Sequence, residues 1–398
     1  MHLGRYGNKI KGTEDLILEN INKMYSLKDL KKVYSGKKVL VTGHTGFKGA
    51  YVVLLLKYLG AKVYGYALKE EKGSIYELLK KEIKSDNGKI VEGECYGDIR
   101  DFNKLKNYIK KVSPDFILHM AAQPLVLKGY DEPLYTYEVN VMGTANLMQA
   151  INEVYCMGKS KKILSVLNVT TDKVYENNDL SNYAFKEKDK LCGRDPYANS
   201  KSCSELVTYA YKKSFFDKNV CISTARAGNV IGGGDMNANR IIPDCYRAIK
   251  NNKKMLVRNP LSVRPYQYVL EPLIIYLNIM VYQYKDKKYE GNYNIGPDKK
   301  ACLYTKDLVE KFFSDWNKRD GEFDCCHSSV KVVYNQPKKN AKHEAAFLRL
   351  DNSLIKKVFN YKEIFNIKKT MQYTADVYKL ILFKKPLIPY IYNIFTNL

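Results

Sequence analysis

At 398 residues the chain is long enough for two domains with separate cores, and its 45% hydrophobic content is ordinary for a globular protein. The 66 Lys and Arg against 42 Asp and Glu give a net charge of +24, but the lysines are spread along the chain with no basic stripe interleaved with aromatics, so nucleic-acid binding is set aside and the charge reads as a compositional bias toward Lys that would still help steer a diphosphate substrate. No apolar stretch is long enough for a membrane span, Met1-His-Leu-Gly-Arg lacks the apolar run of a secretory leader, and nine scattered Cys without a CxxC pair point to free thiols in a reducing, cytoplasmic setting. Cys325-Cys326-His327 is too contiguous for a zinc site, and no metal is expected.

Residues 1–35 are polar and Lys-rich, with a helical pattern around Leu16–Tyr25, and read as an amino-terminal extension. Lys38–Val41 is then a short apolar strand, followed by a glycine turn, a helix over Ala50–Leu59 and a strand over Ala61–Ala67. The alternation continues with a strand at Ile90–Cys95, a helix at Asp101–Val112, a strand at Phe116–Met120, a long helix at Pro133–Tyr155 and a strand at Lys162–Val169. Asp195-Pro196 opens a helix to about Phe216, and Val220–Ala225 is the next strand. Strands separated by helices predict an α/β fold, a Rossmann-type doubly wound parallel sheet over residues 36–231. From Gly232 the rhythm changes: helices at Arg240–Asn251 and Glu271–Tyr284 mix with short strands at Met255–Val257, Tyr293–Ile295 and Lys331–Tyr334. This predicts a smaller mixed α/β substrate lobe over 232–375, with some return to the first domain, and then an apolar tail over 376–398 that packs on the body or on a partner.

Gly43, Gly46 and Gly49, three residues apart between a strand and a helix and with Thr45 and Phe47 between them, let the backbone turn tightly and approach a pyrophosphate, which the helix amino terminus then meets with free amides. This is a variant of the dinucleotide fingerprint. The acid expected about 20 residues further on is not unique. Glu70 would accept from a ribose hydroxyl, whereas Lys69 would favour a 2′-phosphate; NAD is the choice adopted. Asp98 and Ile99 follow the third strand, where they would bracket an adenine, and Ala121 and Ala122 follow the fourth, where small residues admit the cofactor closely. His119 reads as a strand-end core histidine.

Thr171-Asp172-Lys173 lies at the carboxyl end of a strand, the end where open parallel sheets bind ligands. Tyr197 and Lys201, four apart, share one face of a helix, and an ammonium beside a phenol favours the phenolate. One Tyr/Lys pair suggests a dehydrogenase. A second acid and amine suggest that oxidation is only the first step.

These motifs, in this order, resemble the extended short-chain dehydrogenase/reductase superfamily and, more narrowly, the CDP-glucose 4,6-dehydratase family. The resemblance spans about residues 28–375. Its strings include Val-Thr-Gly-His-Thr-Gly-Phe-Lys-Gly (41–49), Gly-Asp-Ile-Arg-Asp (97–101), His-Met-Ala-Ala-Gln-Pro-Leu-Val (119–126), Thr-Asp-Lys-Val-Tyr-Glu-Asn (171–177), Asp-Pro-Tyr-Ala-Asn-Ser-Lys (195–201) and Ala-Arg-Ala-Gly-Asn-Val-Ile-Gly-Gly-Gly-Asp (225–235). Related dTDP-glucose and GDP-mannose dehydratases usually carry Glu where Lys173 stands. Arg264-Pro-Tyr266-Gln-Tyr268 departs from the family, which more often has Trp and His at the two Tyr positions. The resemblance implies a lyase with an internal redox cycle on a nucleotide sugar. Tyr197, lowered in pKa by Lys201, takes the proton from the sugar 4-hydroxyl, and Thr171 steadies the same oxygen. Lys173 removes the proton on carbon 5, and Asp172 donates to the leaving 6-hydroxyl. The bidentate forks of Arg240 and Arg264 suit the diphosphate, with Asn229 and Gln123 toward the sugar nucleotide. The helices at 133–155 and 196–216 would form the dimer seam common to the superfamily, giving a homodimer or homotetramer.

Overall fold

The structure is a computed structural model and describes residues 23–178, 183–298, 302–318, 328–335 and 347–398. Most of the helical pattern at Leu16–Tyr25, and Cys325-Cys326-His327, lie outside these residues.

Helix α1 (Leu27–Tyr34) is capped by Ser26 and precedes β1 (Lys38–Thr42), whose last four residues are buried. The glycine turn leads into α2 (Phe47–Tyr58), apolar all round and buried from Gly49 to Leu56, as a helix sandwiched inside a core must be. Strand β2 (Lys62–Ala67), helix α3 (Ile75–Ser85), strand β3 (Gly93–Tyr96), helix α4 (Phe102–Val112) and strand β4 (Phe116–His119) continue the alternation. Ser74 caps α3 and Asp101 caps α4 through their side chains. Two short helices, α5 (Val126–Asp131) and α6 (Pro133–Tyr137), then lead into α7 (Gly143–Ile151), which is flanked by π-helical turns at Glu138–Met142 and Asn152–Met157. The predicted helix at 133–155 is therefore present but widened twice. Within the first wide turn the buried Asn140 side chain binds the Gln123 backbone N–H and carbonyl and the Ser200 hydroxyl.

Strand β5 (Leu164–Thr171), helix α8 (Pro196–Ser214, capped by Asp195), strand β6 (Val220–Ala227) and the short β7 (Asn229–Ile231) follow. The remainder comprises α9 (Ile241–Lys250), β8 (Met255–Val257), β9 (Val263–Tyr268), α10 (Leu270–Lys285), β10 (Asn292–Ile295), β11 (Cys302–Tyr304), α11 (Thr305–Trp316), β12 (Val332–Tyr334), α12 (Ser353–Phe359), α13 (Ile367–Leu382) and α14 (Ile388–Thr396).

The main sheet has seven strands in the order β3-β2-β1-β4-β5-β6-β10, every neighbour parallel. Strand order reverses between β1 and β4, so the crevice for a ligand opens at their carboxyl ends. One core lies between the sheet, α2 and α10, and another between the opposite face, α4 and α7. A third fills the second lobe around Tyr246, Phe312, Trp316 and Tyr378, beneath the small sheets β11-β9-β7 and β12-β8.

Three features refine the sequence reading, which expected some return to the first domain and a tail packed on the body or on a partner. Strand β10, expected within the second lobe, pairs with β6 and completes the main sheet. Residues 27–34 are no loose extension: Tyr34 Oη donates to the Leu277 carbonyl at 2.9 Å and Leu30 and Tyr34 are fully buried against α10. The tail over 376–398 belongs to α13 and α14, and Glu82 on α3 accepts the Leu387 and Ile388 N–H groups at 2.8 and 3.0 Å, capping α14.

Candidate active site

The glycine turn runs from the end of β1 into α2. Gly43 has φ +74°, and a Cβ there would stand 2.7 Å from the Ala121 nitrogen, so the loop after β4 lies directly against the turn. A Cβ on Gly49 would stand 2.2 Å from the Gly43 carbonyl oxygen. Gly46 is the N-cap of α2 and offers no side-chain acceptor, which leaves the first amides of the helix open to an anion. Thr45 Oγ1 donates to the Leu68 carbonyl at 3.0 Å and ties the turn to the end of β2. Phe47 stacks edge-on against Tyr51. These residues fit the pyrophosphate of a dinucleotide, and Ala121 and Ala122 flank the same crevice.

Other sequence-named cofactor residues differ. Ile99 is buried against Gly143 in the core, while the Asp98 carboxylate is held by Arg100 at 2.8 Å and drawn below its ordinary range by that hydrogen bond. Glu70, the candidate for the ribose, is instead engaged by Tyr96 Oη at 2.7 Å and Lys80 Nζ at 3.1 Å. Lys80 and Tyr96 also bind Glu94, which accepts from His44 Nε2 at 3.0 Å. His119 is a core histidine as read: Thr42 Oγ1 lies 2.7 Å from Nδ1, and burial pushes the ring down to about 3.

The Thr171-Asp172-Lys173 segment and Tyr197 come together at the carboxyl end of β5. A single 3₁₀ turn, Asp172–Val174, follows β5, and Thr171 caps it. Thr171 Oγ1 donates to Asp172 Oδ1 at 2.9 Å. Asp172 Oδ2 is buried and has no hydrogen-bond partner among the described residues, so the site leaves one carboxyl oxygen for something else. Burial raises the Asp172 carboxyl above its ordinary range, against the pull of Lys173, Thr171 and Arg264. Tyr197 and Lys201 enter on the first two turns of α8, whose start is fixed by the Asp195 cap and by Pro196.

The expected lowering of the Tyr197 phenol by Lys201 is not what the structure has. Burial pushes Tyr197 up to about 12, and the groups drawing it back down are the Thr171 hydroxyl and the Arg240 charge. Lys201 shares the helix face, but its Nζ donates to the Val169 carbonyl at 3.2 Å, and burial holds it down to about 8.

Of the substrate candidates, Arg240 faces this site: it is anchored by Asp235 at 3.2 Å and its charge reaches Tyr197 and Lys48. Arg264 is buried on β9, where its charge falls on Asp172. Asn229 lies on β7, partly buried and in register with Tyr266. Gln123 is engaged within the protein. Its amide donates to Thr136 at 2.9 Å and its carbonyl accepts from Leu125 N at 2.6 Å, so the buried side chain braces the loop after β4 and keeps one N–H and one lone pair beyond these bonds.

Lys48 was missed by the sequence reading. Its Nζ donates to Tyr276 Oη at 2.9 Å, and burial together with the charges of Arg240 and Lys201 lowers it to about 7. Its place inside the glycine turn was the available signal. Among the described residues no cluster of His, Cys, Asp and Glu could hold a metal, and no helix is long and apolar enough to cross a membrane.

Known proteins agree with this architecture. The family model described as GDP-mannose 4,6 dehydratase matches residues 40–374. A CDP-glucose 4,6-dehydratase of Salmonella typhimurium is 39% identical over 81% of this chain and 85% of its own length. A dTDP-D-glucose 4,6-dehydratase of Dictyostelium discoideum is 28% identical over 66% of this chain and 58% of its own. Among solved structures, dTDP-glucose 4,6-dehydratase of Bacillus anthracis in complex with NAD superposes with a TM-score of 0.67 at 20% identity, covering 86% of this chain and 97% of that one. UDP-glucose 4-epimerase of Thermus thermophilus with NAD gives 0.68 at 18%, covering 86% and 99%. Since the family model and the Salmonella relative both extend over most of its length, the chain belongs to the GDP-mannose 4,6 dehydratase family.

Proposed function

We propose that the chain is a hydro-lyase that converts CDP-glucose to CDP-4-dehydro-6-deoxyglucose and water, by oxidation at carbon 4, elimination across carbons 5 and 6, and reduction at carbon 6. The observation that carries this reading is a buried Asp172 with one unpartnered oxygen, set beside Thr171 and within electrostatic reach of Tyr197, in a chain this similar to a CDP-glucose 4,6-dehydratase. Bound NAD supplies the acceptor and later the donor of the hydride. The turn at 43–49, the α2 amides, Ala121, Ala122 and Lys201 would hold it.

Tyr197 Oη removes the proton of the 4-hydroxyl. Burial opposes its ionisation, so Arg240 and the Thr171 hydroxyl must favour the phenolate, and Thr171 steadies the same sugar oxygen. The ketone at carbon 4 acidifies carbon 5, whose proton passes to Lys173 Nζ. Asp172, whose protonated form burial favours, donates to the leaving 6-hydroxyl. Arg240 is the cation for the diphosphate, and Asn229 lies toward the sugar nucleotide. We further propose that the enzyme works in the cytoplasm as a homodimer or homotetramer, a reading supported by the exposed Leu206 and Tyr209 on α8 and Met142 beside α7.

Incubation of the purified protein with CDP-glucose is expected to yield a 4-keto product that absorbs in alkali, without accumulation of reduced cofactor. Steady stoichiometric release of NADH would sink the dehydratase reading. Parallel incubations with dTDP-, UDP- and GDP-glucose are expected to give lower kcat/KM than CDP-glucose; a higher value for any of them reassigns the substrate.

A further inference from the structure

We propose that the buried Arg226–Glu205 pair positions the Thr171–Asp172–Lys173 turn for elimination, gripping it from both sides. The inference rests on the assignment of Asp172 and Lys173 to water loss.

The grip can be followed atom by atom. On the near side stands Thr170, the residue before Thr171, whose Oγ1 donates to Glu205 Oε1 at 2.6 Å. Arg226, opposite Thr170 on β6, donates from Nε to the same oxygen at 2.7 Å and from Nη2 to Glu205 Oε2. On the far side stands Tyr175, the residue after the 3₁₀ turn. Arg226 Nη1 donates to Tyr175 Oη at 2.6 Å, with the guanidinium 5.0 Å from the ring centroid, and Tyr175 Oη donates onward to Asn294 Oδ1 at 2.6 Å. Between them, Ser202 Oγ on α8 donates to the Val174 carbonyl at 2.7 Å. Thr170, Tyr175, Glu205, Arg226 and Asn294 are all buried.

Two observations favour positioning over stabilisation. A buried ion pair is weak evidence for stability, because apolar residues of the same volume often serve a fold as well or better. This pair also joins the two stations: Glu205 stands one turn beyond Lys201 on the helix that carries Tyr197, so the acid and amine of elimination are registered against the redox residues through one carboxylate. A displacement of about 1 Å at a reacting group costs orders of magnitude in rate, and a turn of three residues has no rigidity of its own.

The test separates the half-reactions. Tyr175→Phe removes one hydroxyl and keeps the ring; Thr170→Val cuts the other side and keeps the volume. Single turnovers with CDP-glucose are followed by absorbance of the reduced nicotinamide, by solvent deuterium entering at carbon 5, and by the 4-keto product. For each variant, oxidation is expected within about twofold of wild type and elimination slowed about tenfold or more, so that reduced cofactor accumulates on the enzyme. Thr170→Ser, which restores the hydroxyl, is expected to restore elimination. Oxidation and elimination slowed alike, or both unchanged, would overturn the proposal and leave the pair a structural one. Should Tyr175→Phe fail to fold, Thr170→Val carries the same reading. If the wild-type protein gives no 4-keto product from CDP-glucose, it is the assignment of function that fails, an outcome distinct from any difference between variant and wild type.

Discussion

Lys201 illustrates how function and stability diverge at a single residue. Burial holds its ammonium down to about 8, well under the 10.5 of a solvated lysine, with only partial support from Glu205. A base whose folded pKa is depressed weighs most on the fold at low pH, and the burden fades as pH rises from the folded value toward the unfolded one. Lys201→Met is therefore expected to stabilise the cofactor-free protein by about 1–3 kcal/mol near neutrality, after allowing for the lost bond to the Val169 carbonyl, and to lose that advantage toward about pH 10. Chemical denaturation at the two pH values measures this, and an equal effect at both would refute it. Turnover is expected to fall in the same variant. Spacing placed Tyr197 and Lys201 on one face correctly, since helix periodicity is a local property. What each residue bonds to is not local: the contacts of Gln123 with Thr136 and Asn140, which fold back on it, cannot be located from sequence.

At the scale of elements, the joints between distant segments are the informative features. Glu271, in the first turn of α10, accepts from Tyr361 Oη at 2.7 Å, Ile364 N at 3.1 Å and Phe365 N at 2.9 Å. It thereby fixes the segment between α12 and α13 against the main core. Glu271→Ala strands three donors, two of them buried, and is expected to cost about 2–4 kcal/mol, read as a lower urea midpoint; no change would mean that the segment refinds its partners. The alternation of strand and helix through β6 was largely legible because most of the strands are short apolar runs and Asp101 and Asp195 mark the starts of α4 and α8. Helices α3, α11 and α13 and strand β9 were not anticipated, although Ser74 and Asn366 mark the starts of α3 and α13. The membership of β10 in the main sheet depends on a pairing with β6 some seventy residues earlier, which no local pattern records.

The whole molecule combines a strongly basic composition with a cluster of cations, Lys48, Lys201 and Arg240, around one crevice. On the proposed function, distributed charge would draw in a diphosphate from solution and the local cations would decide where it stops. On the outer side, Leu206 and Tyr209 lie on one exposed face of α8, at 54% and 60% exposure, values unusual for large apolar residues on a helix otherwise packed into the core. If that face joins two copies, the double variant Leu206→Glu, Tyr209→Glu is expected to sediment as a monomer where the wild-type protein sediments as a dimer. Identical sedimentation would place any association elsewhere.

The return of β10 to the main sheet has a further consequence. The polypeptide leaves the first lobe, builds part of the second, and comes back to supply an outer strand together with the helix that covers two inner ones. A chain ended after residue 231 would leave β6 as a bare edge and β5 and β6 without α10 across them, a surface prone to pair with other chains. The cofactor half is thus no autonomous module. The two lobes share one cooperative unit, and heat or denaturant should melt them together.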